Sequence, residues 1–228
     1  MRRALAISVV LAAALVWGQA AHAVTVKQVH DALVRYLGRT FQKPQDIRVK
    51  LETFDDPKAL QRGRLKIIHM TVRQMAFEGI AMHDLSLKAY DITVDLPTLL
   101  NESKLETNQA KNTLMHARLT EKEMNEALKT KKMPFENFRV DFQNGKLVAT
   151  GTHRFVVGNN LKMIAHLDPK DDGVHLVPEK VWVNGLPFPV GQIKKLVDKM
   201  NPLIKLSHLP FHPRVKQIKV HDTELEVS

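Results

Sequence analysis

Histidine and carboxylate side chains are the residues of this chain whose types could support chemistry. Histidine binds transition metals, but no His-x-His pair occurs, and His208 and His212 are separated by Pro210. Half-exposed positions in strands are therefore the favoured interpretation of the other histidines, and neither a metal nor a cofactor is predicted. Six of these lie in or beside stretches that alternate apolar and polar residues: His69, His83, His116, His153, His166 and His175.

Motifs for nucleophilic, hydrolytic or nucleotide chemistry are absent from the sequence. It contains no Gly-rich phosphate loop, no Gly-x-Ser-x-Gly, no His-Glu-x-x-His and no cysteine. The carboxylate pairs Asp55-Asp56 and Asp171-Asp172 stand beside proline or glycine, which is typical of turns. We therefore expect no catalytic residues and a protein that is not an enzyme.

Basic residues outnumber acidic ones, and the formal net charge is +10. A solvated face is the favoured interpretation of their local clusters, and a site for an anionic headgroup is the alternative. Two clusters stand out, the first being Lys129, Lys131 and Lys132 and the second being Arg48, Lys50, Arg62, Arg64 and Lys66.

The first 23 residues have the pattern of a cleaved secretory signal peptide. Arg2 and Arg3 precede an apolar run from Ala4 to Trp17, and Ala21-His22-Ala23 is a small-x-small cleavage site. The alternative, a membrane anchor, is disfavoured because about 14 apolar residues are too few to span a bilayer. The sequence predicts export to the periplasm or cell envelope as a soluble or peripherally membrane-associated protein. Outside the cytoplasm, anionic lipid or polymer is a more natural partner for basic charge than nucleic acid.

Residues 24–228 are enough for one domain, and their pattern predicts mostly antiparallel strands with three amphipathic helices. Thr25 with Gln28, and Thr120 with Glu123, are capping-box patterns at the first two helices. The third helix is predicted from about Val190 to Met200. Asn144-Gly145 between two apolar stretches is the strongest hairpin signal. Short turns of this kind exclude parallel crossovers and so predict an antiparallel meander.

Two long predicted strands reverse the phase of their apolar residues. In Ile80 to Leu96 the alternation changes between Ala89 and Tyr90, and in Arg64 to Phe77 it changes near Ile68. A β-bulge produces such a reversal and increases strand twist. The predicted fold class is therefore α+β, with a long curved antiparallel meander wrapped around helices.

The last third of the sequence resembles the LmeA-like family of exported phospholipid-binding proteins. The run VWVNGLPFP from Val181 to Pro189 is the most distinctive part, followed by the predicted third helix, Asn201-Pro202-Leu203 and Leu209-Pro210-Phe211. Upstream, the Leu96 to Leu100 segment and the helix that follows Thr120 agree with the family pattern. The resemblance implies an apolar groove or tunnel, phospholipid binding without catalytic residues, and a role in envelope lipid maintenance.

Acyl chains would then lie in an apolar cavity, and the basic surface would meet an anionic leaflet as a peripheral membrane contact. The alternative is an envelope interaction module that binds an anionic polymer or a protein through its basic face and has a filled core. Inward-facing residues of the long strands, of their partners and of the third helix are predicted to line the cavity: Leu85, Leu87, Ile92, Val94, Phe155, Val157, Leu161, Met163, Leu196 and Met200.

Overall fold

A computed structural model describes residues 23–130, 135–153 and 160–228. Four α-helices are present in these ranges: α1 Val26–Thr40, α2 Pro57–Gln61, α3 Glu121–Thr130 and α4 Val190–Val197. A short π-helical segment covers Thr98–Glu102. The strands are β1 Asp46–Glu52, β2 Arg64–Phe77, β3 Ile80–Val94, β4 Thr107–Thr120, β5 Phe135–Gln143, β6 Lys146–His153, β7 Asn160–Lys170, β8 Gly173–Val183, β9 Leu186–Phe188, β10 Ile204–Lys205, β11 Ile218–Val220 and β12 Glu224–Val227.

The strands form two antiparallel sheets. The first has the order β1-β2-β3-β4-β12-β11, and the second has the order β10-β8-β7-β6-β5 with β9 paired to β8. Each sheet is a meander of consecutive hairpins that later strands extend. The predicted α+β class with a long antiparallel meander is confirmed, and the meander is divided in two because α3 separates β4 from β5.

Two Asn-Gly turns of one kind close the β5–β6 and β8–β9 hairpins. Asn144 and Gly145 both have positive φ (52° and 76°), as do Asn184 and Gly185 (52° and 81°). Two consecutive residues in this region form the turn whose twist matches that of antiparallel strands. The Asn-Gly hairpin predicted from the sequence is thus confirmed, and a second one links β8 to β9.

The phase reversal in β2 and β3 is present, but its predicted cause is wrong. Leu65 pairs with Ile92 and Ile68 pairs with Ala89, so the register of the two strands is unchanged across the reversal. All four side chains are buried. In both strands the buried side chains therefore change face at the same paired positions, whereas a one-sided bulge would shift the register. Tyr90, predicted to point inward, is only half-buried.

A row of alternating charges crosses the whole first sheet on its outer face. At its centre Arg118 Nε donates to Asp84 Oδ2 at 2.9 Å. This hydrogen bond raises the pKa of Arg118 above its usual value. A slip of one residue in any strand would break the alternation, so the row favours the observed register. In strand order its members are Asp46, Arg73, Asp84, Arg118, Glu226 and Lys219.

Helix α3 joins the two sheets by its contacts with β3, β4 and β5. Its predicted capping box is present: Glu123 N donates to Thr120 Oγ1 (3.2 Å), and Thr120 N donates to Glu123 Oε2 (2.7 Å). Farther along, the Asn125 amide pairs with the backbone of Val140 in the edge strand β5, accepting from N (2.8 Å) and donating to O (2.6 Å). Glu121 Oε2 accepts from Phe142 N (3.0 Å). The helix therefore satisfies polar groups that an edge strand would otherwise expose.

We expect Thr120→Ala to lower the free energy of unfolding by about 1 kcal/mol, because an N-cap hydroxyl and its reciprocal partner are lost together. Urea denaturation measures the change. Thr223→Ala, at an exposed threonine before β12, is the control and should have an effect below about 0.5 kcal/mol. Equal losses in the two variants would contradict a capping role for Thr120.

Helix α4 ends at Val197, three residues earlier than the apolar spacing predicts. Asn201 precedes Pro202, and the residue before a proline is disfavoured in α-helix. The Asn201 side chain instead pairs with the backbone of Leu176 in β8, accepting from N at 2.8 Å and donating to O at 3.0 Å. The segment after α4 thus hydrogen-bonds to β8 next to the position where β10 pairs with it.

One buried apolar cluster contains side chains from both sheets and from α1. The inner face of α1 contributes Val29, Ala32, Leu33 and Leu37. In the described ranges, no helix is both long and apolar enough to cross a membrane.

Candidate functional site

The residues predicted to line a lipid cavity lie in the common core. Leu85, Leu87, Ile92 and Val94 on β3, Leu161 and Met163 on β7, and Met200 after α4 are all buried, and Leu196 is half-buried. Phe155 and Val157 lie outside the described residues. Burial is required of a cavity wall and of a packed core alike, so the assignment of these residues to a lipid cavity stays a prediction.

Most of the described histidines have a polar group nearby. His175 Nε2 contacts Asp172 Oδ1 at 2.8 Å and holds the pKa of that carboxyl below its usual value. His69 Nε2 lies 3.0 Å from Ser86 Oγ, and burial, followed by the charges of Lys88 and Lys50, lowers the pKa of His69. Among the described residues, no group of three metal-ligating side chains converges.

Most cations of the predicted basic clusters are paired or lie outside the described residues. Lys129 is bonded to Glu126 at 2.7 Å, while Lys131 and Lys132 are not described. In the second cluster three of the five cations have carboxylate partners within 3.1 Å: Arg48 with Asp46, Arg62 with Asp56, and Arg64 with Asp91. Asp56 also caps α2 through Lys58 N at 2.9 Å, which supports the turn interpretation of Asp55-Asp56.

An open groove of about 670 Å³ lies across one end of the second sheet. Its volume is within the range of roughly 300–1,000 Å³ that is typical of small-ligand sites. Its surface is mostly apolar, with hydroxyl, amide and ammonium groups around it. It is lined by Asn137, Thr150, Gly151, Thr152, Asn160, Leu161, Lys162, Ile164, Trp182 and Gly185.

Strand pairing brings the groove residues together. Lys162 pairs with Thr150 on one side and with Trp182 on the other, so the three side chains form a row on the outer face of the sheet. Beyond this row β5 has an extra residue opposite Gly151, and Asn137 has φ of 50° there. A Cβ on Gly151 would lie 3.2 Å from Glu136 O, so β5 and β6 approach each other closely at the floor of the groove.

The positive charge of this face is not neutralised locally. Lys162 and Lys180 are exposed, and neither takes part in an ion pair with any carboxylate of the described residues. Glu179, the neighbour of Lys180, already contacts Lys146 and His166. Its pKa is lowered, first by the Lys146 hydrogen bond and then by that of His166. The groove is therefore suited to an amphipathic anion, with Ile164 and Trp182 as apolar contacts and Lys162 as the cation.

Of the predicted lining residues that the structure describes, only Leu161 also lines the groove. The prediction selected inward-facing residues, whereas most groove side chains alternate with them and point outward. Trp182 was the available signal, because a large aromatic residue alternating with Lys180 on a sheet face indicates a contact surface.

Comparison with known protein families identifies the chain. A family model for LmeA-like phospholipid-binding proteins matches residues 17–228. The chain belongs to the LmeA-like family. No curated protein and no solved structure matches it.

Membership of the LmeA-like family confirms the resemblance seen in the sequence and supports a phospholipid partner. This is a phospholipid-binding family and not a known enzyme family, in line with the lack of catalytic motifs. The match covers both sheets, so it includes the predicted interior residues and the groove alike.

Proposed function

We propose that this LmeA-like protein is exported and carries phospholipid through the aqueous space of a bacterial cell envelope, with the upper part of the lipid bound in the groove. The predicted signal peptide supports export, and family membership supports the ligand. The observation that carries the proposal is the combination of Lys162, Ile164 and Trp182 in one open groove of suitable volume.

The groove groups correspond to the parts of a phospholipid. The ammonium of Lys162 pairs with the lipid phosphate, and the hydroxyls of Thr150 and Thr152 donate to the ester oxygens. Ile164 and the Trp182 ring contact the first methylenes of the acyl chains. An anionic headgroup is favoured because Lys162, the cation of the groove, has no carboxylate partner among the described residues.

Acyl burial makes carriage possible but does not give it a direction. Each methylene removed from water contributes about 0.8 kcal/mol, yet the same methylene gains almost nothing when it leaves a bilayer for a protein. A groove therefore lowers the cost of crossing water. The membrane or enzyme that receives the lipid determines where it goes.

Two neighbouring residues on β7 distinguish the groove from the predicted interior cavity. Ile164 lines the groove on the outer face, whereas Met163 is fully buried on the inner face. A lipid in the groove contacts Ile164, and a lipid between the sheets contacts Met163.

We expect Ile164→Asp to reduce bound lipid at least about tenfold, because it removes an apolar contact and places a carboxylate beside the phosphate. The measurement is uptake of labelled phosphatidylglycerol from liposomes by the purified protein, followed by native mass spectrometry.

The matched control is Met163→Phe, which should keep lipid uptake within about twofold of wild type and cost about 1–3 kcal/mol of stability by overpacking. The opposite pattern, with uptake lost in Met163→Phe and kept in Ile164→Asp, would reject the groove and place the lipid between the sheets. Absence of uptake by the wild-type protein would reject carriage altogether.

A further inference from the structure

The β8–β9 hairpin presents an apolar side chain to solvent beside the groove. Leu186 is 71% exposed and follows the Asn184-Gly185 turn directly. Among the large apolar side chains of the described residues it is the most exposed, ahead of Val26 and Leu114 at 42% and 41%. The turn itself needs only Asn and Gly, so the hairpin does not explain a leucine at this position.

Cations and an aromatic ring lie on the other face of this hairpin, because Leu186 pairs with Val183 and therefore points away from the face of Trp182. Lys180 and Trp182 alternate on β8 and share a face, and Lys162 is the cross-strand partner of Trp182. Both lysines are exposed and outside the ion pairs of the described residues, while Trp182 is half-buried. The tip region of the hairpin, with Leu186 on one face and Trp182, Lys180 and the neighbouring Lys162 on the other, is named the hairpin surface.

We propose that the hairpin surface docks the protein on an anionic phospholipid bilayer. Leu186 enters the interfacial region, Trp182 lies at headgroup level, and the two lysines contact lipid phosphates. This arrangement matches the preference of tryptophan for membrane interfaces and of lysine for anionic leaflets. The inference rests on the proposed function and adds to it the surface through which the lipid enters.

Continuity with the groove distinguishes this surface from other basic surfaces. Lys162, Trp182 and Gly185 also line the groove, so docking through the hairpin brings the groove opening to the bilayer. The first sheet has a comparable row, in which Lys88 pairs with His69 and Leu114. There the apolar residue is less exposed, and the Lys88 ammonium lies over the Tyr90 ring at 5.1 Å.

The two surfaces provide matched variants with the same substitutions and the same change in charge. L186E/K180E alters the hairpin surface without touching a groove-lining residue, and L114E/K88E alters the outer face of the first sheet. We expect L186E/K180E to reduce co-sedimentation with phosphatidylcholine–phosphatidylglycerol vesicles at least about tenfold, and L114E/K88E to stay within about threefold of wild type. Binding to pure phosphatidylcholine vesicles should be weak for all three proteins.

Fluorescence provides a second measurement at the surface itself. Trp182 is the only tryptophan in residues 24–228, so the processed chain reports from this position alone. Anionic vesicles should shift its emission to shorter wavelength in wild type and in L114E/K88E but not in L186E/K180E. If the double variant folds poorly, the milder variant Leu186→Ser takes its place, and its emission shift should be smaller than that of wild type.

Equal binding of L186E/K180E and wild type to anionic vesicles would overturn the inference, as would an equal loss in L114E/K88E. Binding of dihexanoylphosphatidylglycerol as a monomer separates this result from the proposed function, since it requires the groove but no bilayer. L186E/K180E should keep that binding and Ile164→Asp should lose it. Wild-type protein that docks on vesicles but does not bind the monomer would overturn the groove and leave the docking surface in place.

Discussion

Gly63→Ala is expected to lower the free energy of unfolding by at least about 3 kcal/mol. Gly63 lies between α2 and β2 with φ of 74°, a region that side chains with a Cβ disfavour by about 1–2 kcal/mol. A Cβ at this position would also lie 2.1 Å from Val94 O and 3.2 Å from Val94 C. Because these are backbone atoms of β3, and Val94 N donates to Gly63 O at 3.0 Å, either the strand end or the turn has to move.

Gly185→Ala is the control for Gly63→Ala, because Gly185 has nearly the same φ (81°) and no atom within 4 Å of an added Cβ. Gly185→Ala should therefore lower the free energy of unfolding only through the backbone preference, by about 1 kcal/mol. Urea denaturation of the two variants measures the difference. Equal effects would show that the close approach of Gly63 to Val94 does not determine stability.

Asn125→Ala is expected to lower the free energy of unfolding by about 2–3 kcal/mol. The substitution leaves Val140 N and Val140 O in β5 without their amide partner, and each unsatisfied backbone group costs about 1–3 kcal/mol where water reaches it poorly. It also removes the hydrogen bond of 3.0 Å to Glu121 O within α3. The loss should appear in equilibrium denaturation and as faster hydrogen exchange at the Val140 amide.

Asn112→Ala is the matched control, since Asn112 is an exposed residue of β4. Its substitution should change the free energy of unfolding by less than about 0.5 kcal/mol. If Asn125→Ala has an equally small effect, or if Val140 exchange is unchanged, then α3 does not protect the β5 edge.

Features determined by neighbouring residues could be predicted from the sequence. The capping boxes at Thr25 and Thr120 and the Asn144-Gly145 hairpin depend on residues within four positions of one another. The antiparallel strands followed from their alternation and short turns. The family resemblance came from spacing, and the family match confirms it.

Features determined by distant residues were predicted only in part. The apolar pattern showed the phase reversal near Ala89, but only the pairing with Ile68 shows that both strands reverse together. Helix α4 ends early because Asn201 contacts Leu176 in β8. The helical pattern of Ile193 to Met200 carries no information about that long-range contact.

The groove could not be predicted from periodicity because its described members come from four strands and one turn. Lys162, Trp182 and Thr150 lie in one row only once the registers of β6, β7 and β8 are known. Each is an ordinary outward-facing residue when its own strand is considered alone. Inward-facing residues are easier to predict, which explains why the sequence favoured an interior cavity.

The pairing of β4 with β12 determines when the first sheet can be finished. About a hundred residues separate the two strands along the chain, so β4 has emerged from the ribosome long before Glu224–Val227 become available. Until then β4 has bare backbone donors and acceptors, which other chains can pair with. A polypeptide truncated before residue 224 would keep β4 as an unpaired strand edge permanently. Such a chain would be prone to aggregation and would be a substrate for the quality-control proteases of the host.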